Sequence, residues 1–263
     1  MRKIELEERK KLQLDILLKV HEFCEQNNIT YFLSSGTLIG AVRHNGYIPW
    51  DDDIDIAMPR NDYDVFFKKF IKDNYRAVNI NIDDAWPFTF GKVYDSRTSL
   101  SSGNLGYKDL GVHIDVFPID GLPVNRFLCR FHLFLISIIK YLILLKLYPV
   151  DSKKYKIRSI SNFILRFLLV PVSVCRLLLI HEKLISKYDI KSSLYVASLA
   201  TITERVPCEK ECFESIQKHK FEQGLFNIPT GYDKWLKIIF GDYMKLPPVE
   251  KRVCQHNYVA YKK

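Results

Sequence analysis

Hydrophobic and polar positions recur at two periods along this chain, and the change from one to the other marks out its elements. Between residues 4 and 27, Leu14, Leu17, Leu18 and His21 fall at helical spacing with charged residues between them, which predicts an amphipathic helix. Tyr31 to Ser35 reads as a short strand broken by Gly36, and Thr37 to His44 reads as a helix opening on a threonine. Asn45-Gly46 is a turn signal. Asp53 to Met58 alternates polar and apolar, as a half-buried strand does, and Asn61 is the expected cap of a helix reaching about Lys72. Val78 to Ile82 and Phe88 to Tyr94 read as further strands. Val112 to Phe117 alternates again, with Pro118 as its expected end. This order of elements predicts an α/β (α+β) unit built on a small mixed sheet flanked by helices.

The period changes after residue 123. Phe127 to Tyr148 and Phe163 to Ile180 read as two strongly apolar helices interrupted by Arg130, His132, Lys140, Lys146, Arg166, Pro171 and Arg176. A membrane span needs roughly 20 apolar residues with few or no charges, and neither helix meets that cleanly. Three readings follow: a buried hairpin with basic edges, a hairpin lying on an anionic leaflet, and a membrane-crossing hairpin. Trp235 to Phe240 reads as a short helix ended by Gly241, and Pro247-Pro248 stops the next element. The expected organisation is a catalytic core over 1–123, a basic apolar helical insertion over 124–190, and a part over 191–263 that completes the catalytic domain.

Charge sharpens this division. Arg126 to Lys187 holds twelve Lys or Arg against Asp151 and Glu182, a net of +10 in a chain whose formal total is +9. One segment therefore carries the entire excess and should face an anionic partner. The first ten residues are too charged for a signal peptide, so a cytoplasmic location is expected, peripheral to the inner face of the membrane if the basic helices touch it. The six cysteines would then stay reduced. Cys208 and Cys212, with His219, Cys254 and His256, do not follow a standard zinc spacing, and buried thiols are the default for them.

The chemistry concentrates in one run: Ser34-Ser35-Gly36-Thr37, then Arg43-His44, then Asp51-Asp52-Asp53-Ile54-Asp55. Residues two apart in a strand share a face, so Asp53 and Asp55 should point together while Ile54 and Ile56 enter the core. Adjacent carboxylates repel unless a cation lies between them, and a hard divalent ion suits oxygen ligands, Mg²⁺ first and Mn²⁺ next. Asp115 offers a third carboxylate on the polar face of a second alternating strand, and three such groups make room for two metals. Gly36-Thr37 lets backbone approach a ligand and presents a helix N-terminus to an anion, although simple capping explains it equally well. Ser35, Asp52, Arg43, His44, Lys92 and Arg97 are the remaining substrate-binding candidates. His113 reads more simply as a structural histidine.

The stretch YFLSSGTLIGAVRHNGYIPWDDDIDIAMPR, Tyr31 to Arg60, closely resembles the LicD family of phosphocholine transferases. That family is itself similar to the catalytic domains of fukutin and fukutin-related protein. The resemblance continues at HIDVFPIDGLP, His113 to Pro123, and returns at FGDYMKLPPVEKR, Phe240 to Arg252, with His256 beyond it. It implies a nucleotidyltransferase-like core in which Gly36-Thr37 replaces the superfamily's Gly-Ser, Asp53 and Asp55 supply the Asp-x-Asp pair, and Asp115 supplies the third acid. It also implies the donor class: CDP-choline, or another CDP-linked alcohol such as CDP-ribitol or CDP-glycerol. The implied reaction passes a phospho-alcohol to a hydroxyl of a lipid-linked cell-surface glycan precursor of lipopolysaccharide, teichoic acid or capsule type, with CMP leaving. Asp53 and Asp55 would hold the metal, and Asp115 would position or deprotonate the acceptor.

Choline needs an aromatic box, because a quaternary ammonium has no donor to offer, and Trp50, Trp86, Phe88, Phe90 and Tyr94 are the aromatics expected near the site. Two rival classes remain at this level. A binding protein on the same fold would be expected to lose an acid of the set, and Asp53, Asp55 and Asp115 are all present. A nucleic-acid enzyme would need a groove of Lys and Arg with exposed aromatics, whereas the basic segment here is apolar and helical, so no nucleic-acid partner is expected.

Overall fold

The two alternating stretches become neighbouring strands at the centre of the molecule. A computed structural model of the chain describes residues 1–101, 107, 110–147, 164–201, 204–254 and 258–263. In chain order the strands are β1 (Arg2–Ile4), β2 (Phe32–Leu33), β3 (Asp55–Pro59), β4 (Ile71–Lys72), β5 (Tyr75–Val78), β6 (Gly91–Asp95) and β7 (Thr98–Ser101). They continue with β8 (His113–Gly121), β9 (Tyr195–Ala197), β10 (Cys208–Glu209), β11 (Ile216–Phe221), β12 (Gly224–Pro229) and β13 (Val259–Lys262). The helices are α1 (Leu6–Asn27), α2 (Ser35–His44), α3 (Arg60–Lys69), α4 (Arg126–Leu147), α5 (Val174–Ile185) and α6 (Tyr232–Phe240).

The main sheet is mixed, as the alternation predicts. β8 runs parallel to β3 on one side, with Asp55 opposite Asp115 and Ile56 opposite Val116. On its other side it pairs antiparallel first with β6 and then, at Asp120 and Gly121, with β9. β5 and β4 extend the sheet beyond β6, β10 extends it beyond β9, and β2 pairs with β3. Ile54, Ile56, Ile114 and Val116 enter one core with Ile16, Leu17 and Val20 of α1 and Phe66 and Phe67 of α3. The strand period sends Asp55, Asp115 and Phe117 to the opposite face. A separate three-stranded sheet joins β1, β13 and β7, and the β11–β12 hairpin packs on α2 and β2.

Several boundaries differ from the sequence reading for local reasons. Residues 2–4 form β1, and the first helix starts only at Leu6. β3 begins at Asp55, so Asp53 precedes the strand. The helix expected from Asn61 to Lys72 spans Arg60–Lys69 and starts straight off Pro59 without a side-chain cap, while Ile71–Lys72 turns back as a hairpin through Asp73, whose φ is 49°. The strand expected to reach Ile82 stops at Val78, because the Asn79 Oδ1 accepts from the Asn81 and Ile82 N–H groups at 3.0 and 3.1 Å and competes with the ladder. Phe88 to Phe90 lie outside β6.

Pro118 does not end its strand. Asp115 donates its N–H toward β3, to the Ile54 carbonyl at 2.9 Å, so by alternation residue 118 turns its nitrogen to the other side. There it falls between Val116, the last residue paired with β6, and Asp120, the first paired with β9. A proline's missing N–H costs nothing in that gap. Asn28 and Asn45 close α1 and α2 in the left-handed region, at φ 54° and 56°, which asparagine tolerates better than most residues.

Of the two apolar helices, α4 matches expectation closely. The second is interrupted: residues 164–168 are helical, Pro171 lies in the break, and α5 then starts at Val174 with the Ser173 hydroxyl accepting from the Arg176 N–H at 3.1 Å. α4 and α5 pack together. The ends placed at Tyr148 and Phe163, and the cations Lys153, Lys154, Lys156 and Arg158, lie outside the described residues.

α2 crosses the 46–48 turn so closely that a Cβ on Gly40 would lie 2.4 Å from the Gly46 carbonyl oxygen. Gly40→Ala must push backbone from backbone, a strain of about 2 kcal/mol. We expect a lower urea midpoint with an unchanged slope, and a variant as stable as the parent would show that the turn yields freely.

Candidate active site

The β3 and β8 registers place two carboxylates side by side, and loops add others. Asp55 and Asp115 are direct neighbours across the parallel pair. Thr37 secures the start of β3: its buried hydroxyl accepts from the Asp55 N–H at 2.9 Å, while Ser34 donates its N–H to the Asp55 carbonyl at 3.0 Å. Burial, and after it the negative charges of Asp53, Asp115, Glu204 and Asp51, push the Asp55 carboxyl well above the ordinary aspartate range. Five acids thus share one neighbourhood.

Asp51, Asp53, Asp55 and Glu204 line a cavity of about 650 Å³. Ser35 and Gly36, at the N-terminus of α2, line it too, and Ser35 sits at φ 48°, a strained conformation for a residue with a side chain. A Cβ on Gly36 would lie 2.6 Å from the Asp51 Oδ2, so only glycine lets the acidic loop come this close. Trp50, Phe88, Phe90, Phe117 and Phe240 supply an aromatic wall. α4 contributes Lys140, whose Nζ donates to the Ala200 carbonyl and, at 3.4 Å, approaches the Thr89 hydroxyl. Burial, with Arg205 adding to it, lowers the Lys140 ammonium to about 7.

The remaining sequence candidates are placed as follows. Lys92, opposite Asp115 in register, gives its ammonium to Asp115 Oδ1 and lies 5.2 Å from the Phe88 and Phe90 ring centres. His113 Nε2 is 3.6 Å from the same oxygen, and its Nδ1 is 3.0 Å from the Gly111 carbonyl. Asp52 points away from the cavity: it is buried against the Arg9 guanidinium, and Gln13 of α1 donates to its carbonyl at 3.1 Å. Arg43 donates to the Tyr243 carbonyl at 2.5 Å and to His44 Nε2 at 2.9 Å, which ties the end of α2 to the C-terminal part. Arg97 pairs with Asp95 at 2.7 Å and braces the turn between β6 and β7. Of the aromatics expected near the site, Trp86 is instead fully buried, donating its indole N–H to the Phe90 carbonyl at 2.7 Å, and Tyr94 packs against the apolar cluster that Trp86 forms with Val78, Ile80 and Leu177.

Two residues of the cavity escaped the sequence reading. Glu204 is buried; its Oε1 accepts from the Ser35 hydroxyl at 2.5 Å, and its Oε2 has no hydrogen-bond partner among the described residues. Burial raises its carboxyl above the usual glutamate range, against the lowering effect of Ser35. Lys140 had been read only as one charge among many on an apolar helix. Its spacing offered a signal, since it falls in the buried stripe of His132, Ile136 and Ile143.

The four acids that line the cavity offer carboxylate oxygens, which suit a hard divalent cation. Among the described residues no three His, Cys, Asp or Glu side chains form a closed ligand group, Asp115 being held by Lys92. Mg²⁺ does not need such a cage, because it keeps several waters and is commonly held by one or two carboxylates with substrate phosphates. The same absence covers the cysteines: Cys208 and Cys212 are buried, Cys254 is exposed, and His256 lies outside the described residues.

Residues 28–123 match the family model described as LicD/FKTN/FKRP, nucleotidyltransferase domain. Over 271 aligned residues, covering 99% of each chain, the sequence is 30% identical to the lipopolysaccharide cholinephosphotransferase LicD of Haemophilus influenzae. Shorter matches reach an uncharacterised protein of Rickettsia typhi, 43% identical over 27% of this chain and 23% of that one. Another, of Rickettsia prowazekii, is 48% identical over 24% of each.

Proposed function

Because the chain belongs to the LicD family of phosphotransferases, we propose that it moves phosphocholine from CDP-choline to a hydroxyl of a lipopolysaccharide-type glycan and releases CMP. The observation that carries this reading is a single cavity lined together by carboxylates, aromatic rings and Lys140. A quaternary ammonium offers charge without a donor, and it is recognised by aromatic faces with acids nearby. A CDP-linked donor carries a pyrophosphate, which Lys140 and the first-turn N–H groups of α2 are built to meet.

Mg²⁺, or Mn²⁺ in its place, would be held by Asp53 and Asp55, with Asp115 as the third acid. When bound, such an ion neutralises the pyrophosphate and eases departure of the leaving phosphate. The chain's own groups do the rest. The acceptor oxygen attacks the phosphorus that bears choline, a new P–O bond forms, and the bond from that phosphorus to the bridging oxygen breaks, leaving CMP with the bridge. The hydroxyl proton must go to a carboxylate. Glu204 suits this better than Asp115, because it lines the cavity with an oxygen that has no hydrogen-bond partner among the described residues and has a raised affinity for protons, whereas the Asp115 carboxylate is engaged by the Lys92 ammonium. Catalysis is otherwise positioning and charge neutralisation.

The test is to incubate the purified protein with Mg²⁺ and CDP-choline, CDP-ribitol or CDP-glycerol and to measure CMP. CDP-choline should be consumed fastest, and a protein that releases CMP from none of them, with or without glycan, ends the proposal. Glu204→Gln should lower kcat by roughly 10²–10⁴ with little change in KM for the donor. A normal kcat in that variant returns the proton to Asp115.

A further inference from the structure

α4 has two faces with different tasks. Its inner stripe, His132, Ile136, Lys140 and Ile143, is buried against the rest of the molecule. Its outer stripe is Phe127, Phe131, Phe134, Ile138 and Tyr141, spaced alternately four and three residues apart so that all five lie on one side of the helix. These side chains are exposed, Phe127 by 77% and Phe134 by 59%. Residues 164–170 add to the same kind of surface, with Phe167 exposed by 73% and Val170 by 71%. Lys146 of α4 holds that segment close, donating to the Leu169 and Val172 carbonyls. An apolar surface of this size on a solvated protein marks a contact site.

The charges around it say what makes the contact. Arg126 and Arg130 on α4, and Arg176, Lys183 and Lys187 in and just after α5, are exposed. α4 contains no acid, and the only acid of α5, Glu182, is buried and accepts from Arg60 at 2.5 Å. Within the two helices every exposed charge is thus a cation, and aromatic and aliphatic side chains in that company complement an interface that is apolar inside and anionic at its surface. α4 is long and apolar enough to cross a membrane, but its inner stripe is packed on protein and carries Lys140 into the cavity, so lipid cannot surround it.

We propose that the outer face of α4, with the basic edge of α5, docks the protein in the plane of an anionic lipid surface. The docking stands on the helix itself; its purpose rests on the transfer reading. Lys140, Ile143, Leu144 and Leu147 of the same helix line the cavity, so an acceptor held in the lipid lies about one helix diameter, roughly 10 Å, from the reacting groups.

Flotation of the full chain with vesicles tests this. The protein should float with vesicles of phosphatidylcholine and phosphatidylglycerol at low salt, and far less with phosphatidylcholine alone. Phe131→Glu/Phe134→Glu should lower binding at least tenfold at every salt concentration, and Ile138→Glu should do so more weakly. Arg130→Glu/Lys183→Glu should remove the preference for anionic vesicles and the salt dependence together. All three variants should keep the parent's thermal midpoint and its rate of CMP release in lipid-free solution, which separates docking from the chemistry. A parent protein that ignores anionic vesicles at low salt overturns the proposal. So does a parent whose face is covered by a second copy, seen as a dimer that Phe131→Glu/Phe134→Glu converts to monomer, or variants that bind as the parent does.

Discussion

Replacing Asp55 by asparagine is expected to lower CMP release by about 10³-fold or more while leaving the protein as stable as before, or more stable. The two effects share one cause. Asp55 is pressed by burial and by Asp53, Asp115, Glu204 and Asp51, so its carboxyl takes up protons far more readily than an unfolded aspartate does. A carboxyl whose folded pKa lies above its unfolded value weakens the fold as pH rises through that range, because the folded state then gives up protons it holds more tightly. Asparagine keeps the shape and removes the charge, so that loss disappears. Activity falls because the group that faces the donor and its cation is no longer an anion. Thermal melts at neutral pH beside single-turnover assays would check both halves. A variant that loses its melt together with its activity would mean that Asp55 supports the fold and not the chemistry.

The second large effect lies away from the cavity. Arg60, at the start of α3, donates from Nε to Asp120 of β8 at 2.6 Å and from Nη1 to Glu182 of α5 at 2.5 Å. Burial raises both carboxyls even with the guanidinium beside them. Arg60→Leu leaves two buried acids without their cation, which costs about 3–5 kcal/mol and should lower the melting midpoint by roughly 10 °C. The loss should shrink as pH falls toward 5. Without Arg60 the folded acids bind protons more tightly than the unfolded ones, so stability rises on acidification. A pH-independent loss would trace the damage to packing around the arginine stem instead.

The parts of the site that repeat at strand period were readable from residue order alone. Asp55 and Asp115 alternate with Ile54, Ile56, Ile114 and Val116, and an apolar face that must be buried dictates where its opposite points. Asp52 was misplaced because three acids in a row carry no such alternation; which of them turns inward depends on Arg9, forty-three positions earlier. Arg43 and Arg97 looked like phosphate ligands because a cation advertises no partner. One is engaged by a carbonyl at Tyr243, and the other by Asp95 two residues away. Glu204 arrives from a segment in which no element was read and Lys140 from an apolar helix, and only tertiary packing delivers them to Ser35 and Thr89. Strands as short as β1, β7 and β13 hold too few residues to show a period, and each exists because another edge lies beside it.

The bracing of the acidic loop also bears on the order in which the molecule matures. Arg9, which pairs with Asp52, lies 4.5 Å from the centre of the Tyr258 ring and donates to the Tyr258 carbonyl at 3.4 Å. The same ring lies 5.7 Å from that of His113, beside Asp115. Contacts this distant in sequence form late, since a large loop must close before they repay its entropy. During translation the acidic loop therefore gains this bracing only after the segment around Tyr258 has emerged, later than the strands that carry Asp55 and Asp115.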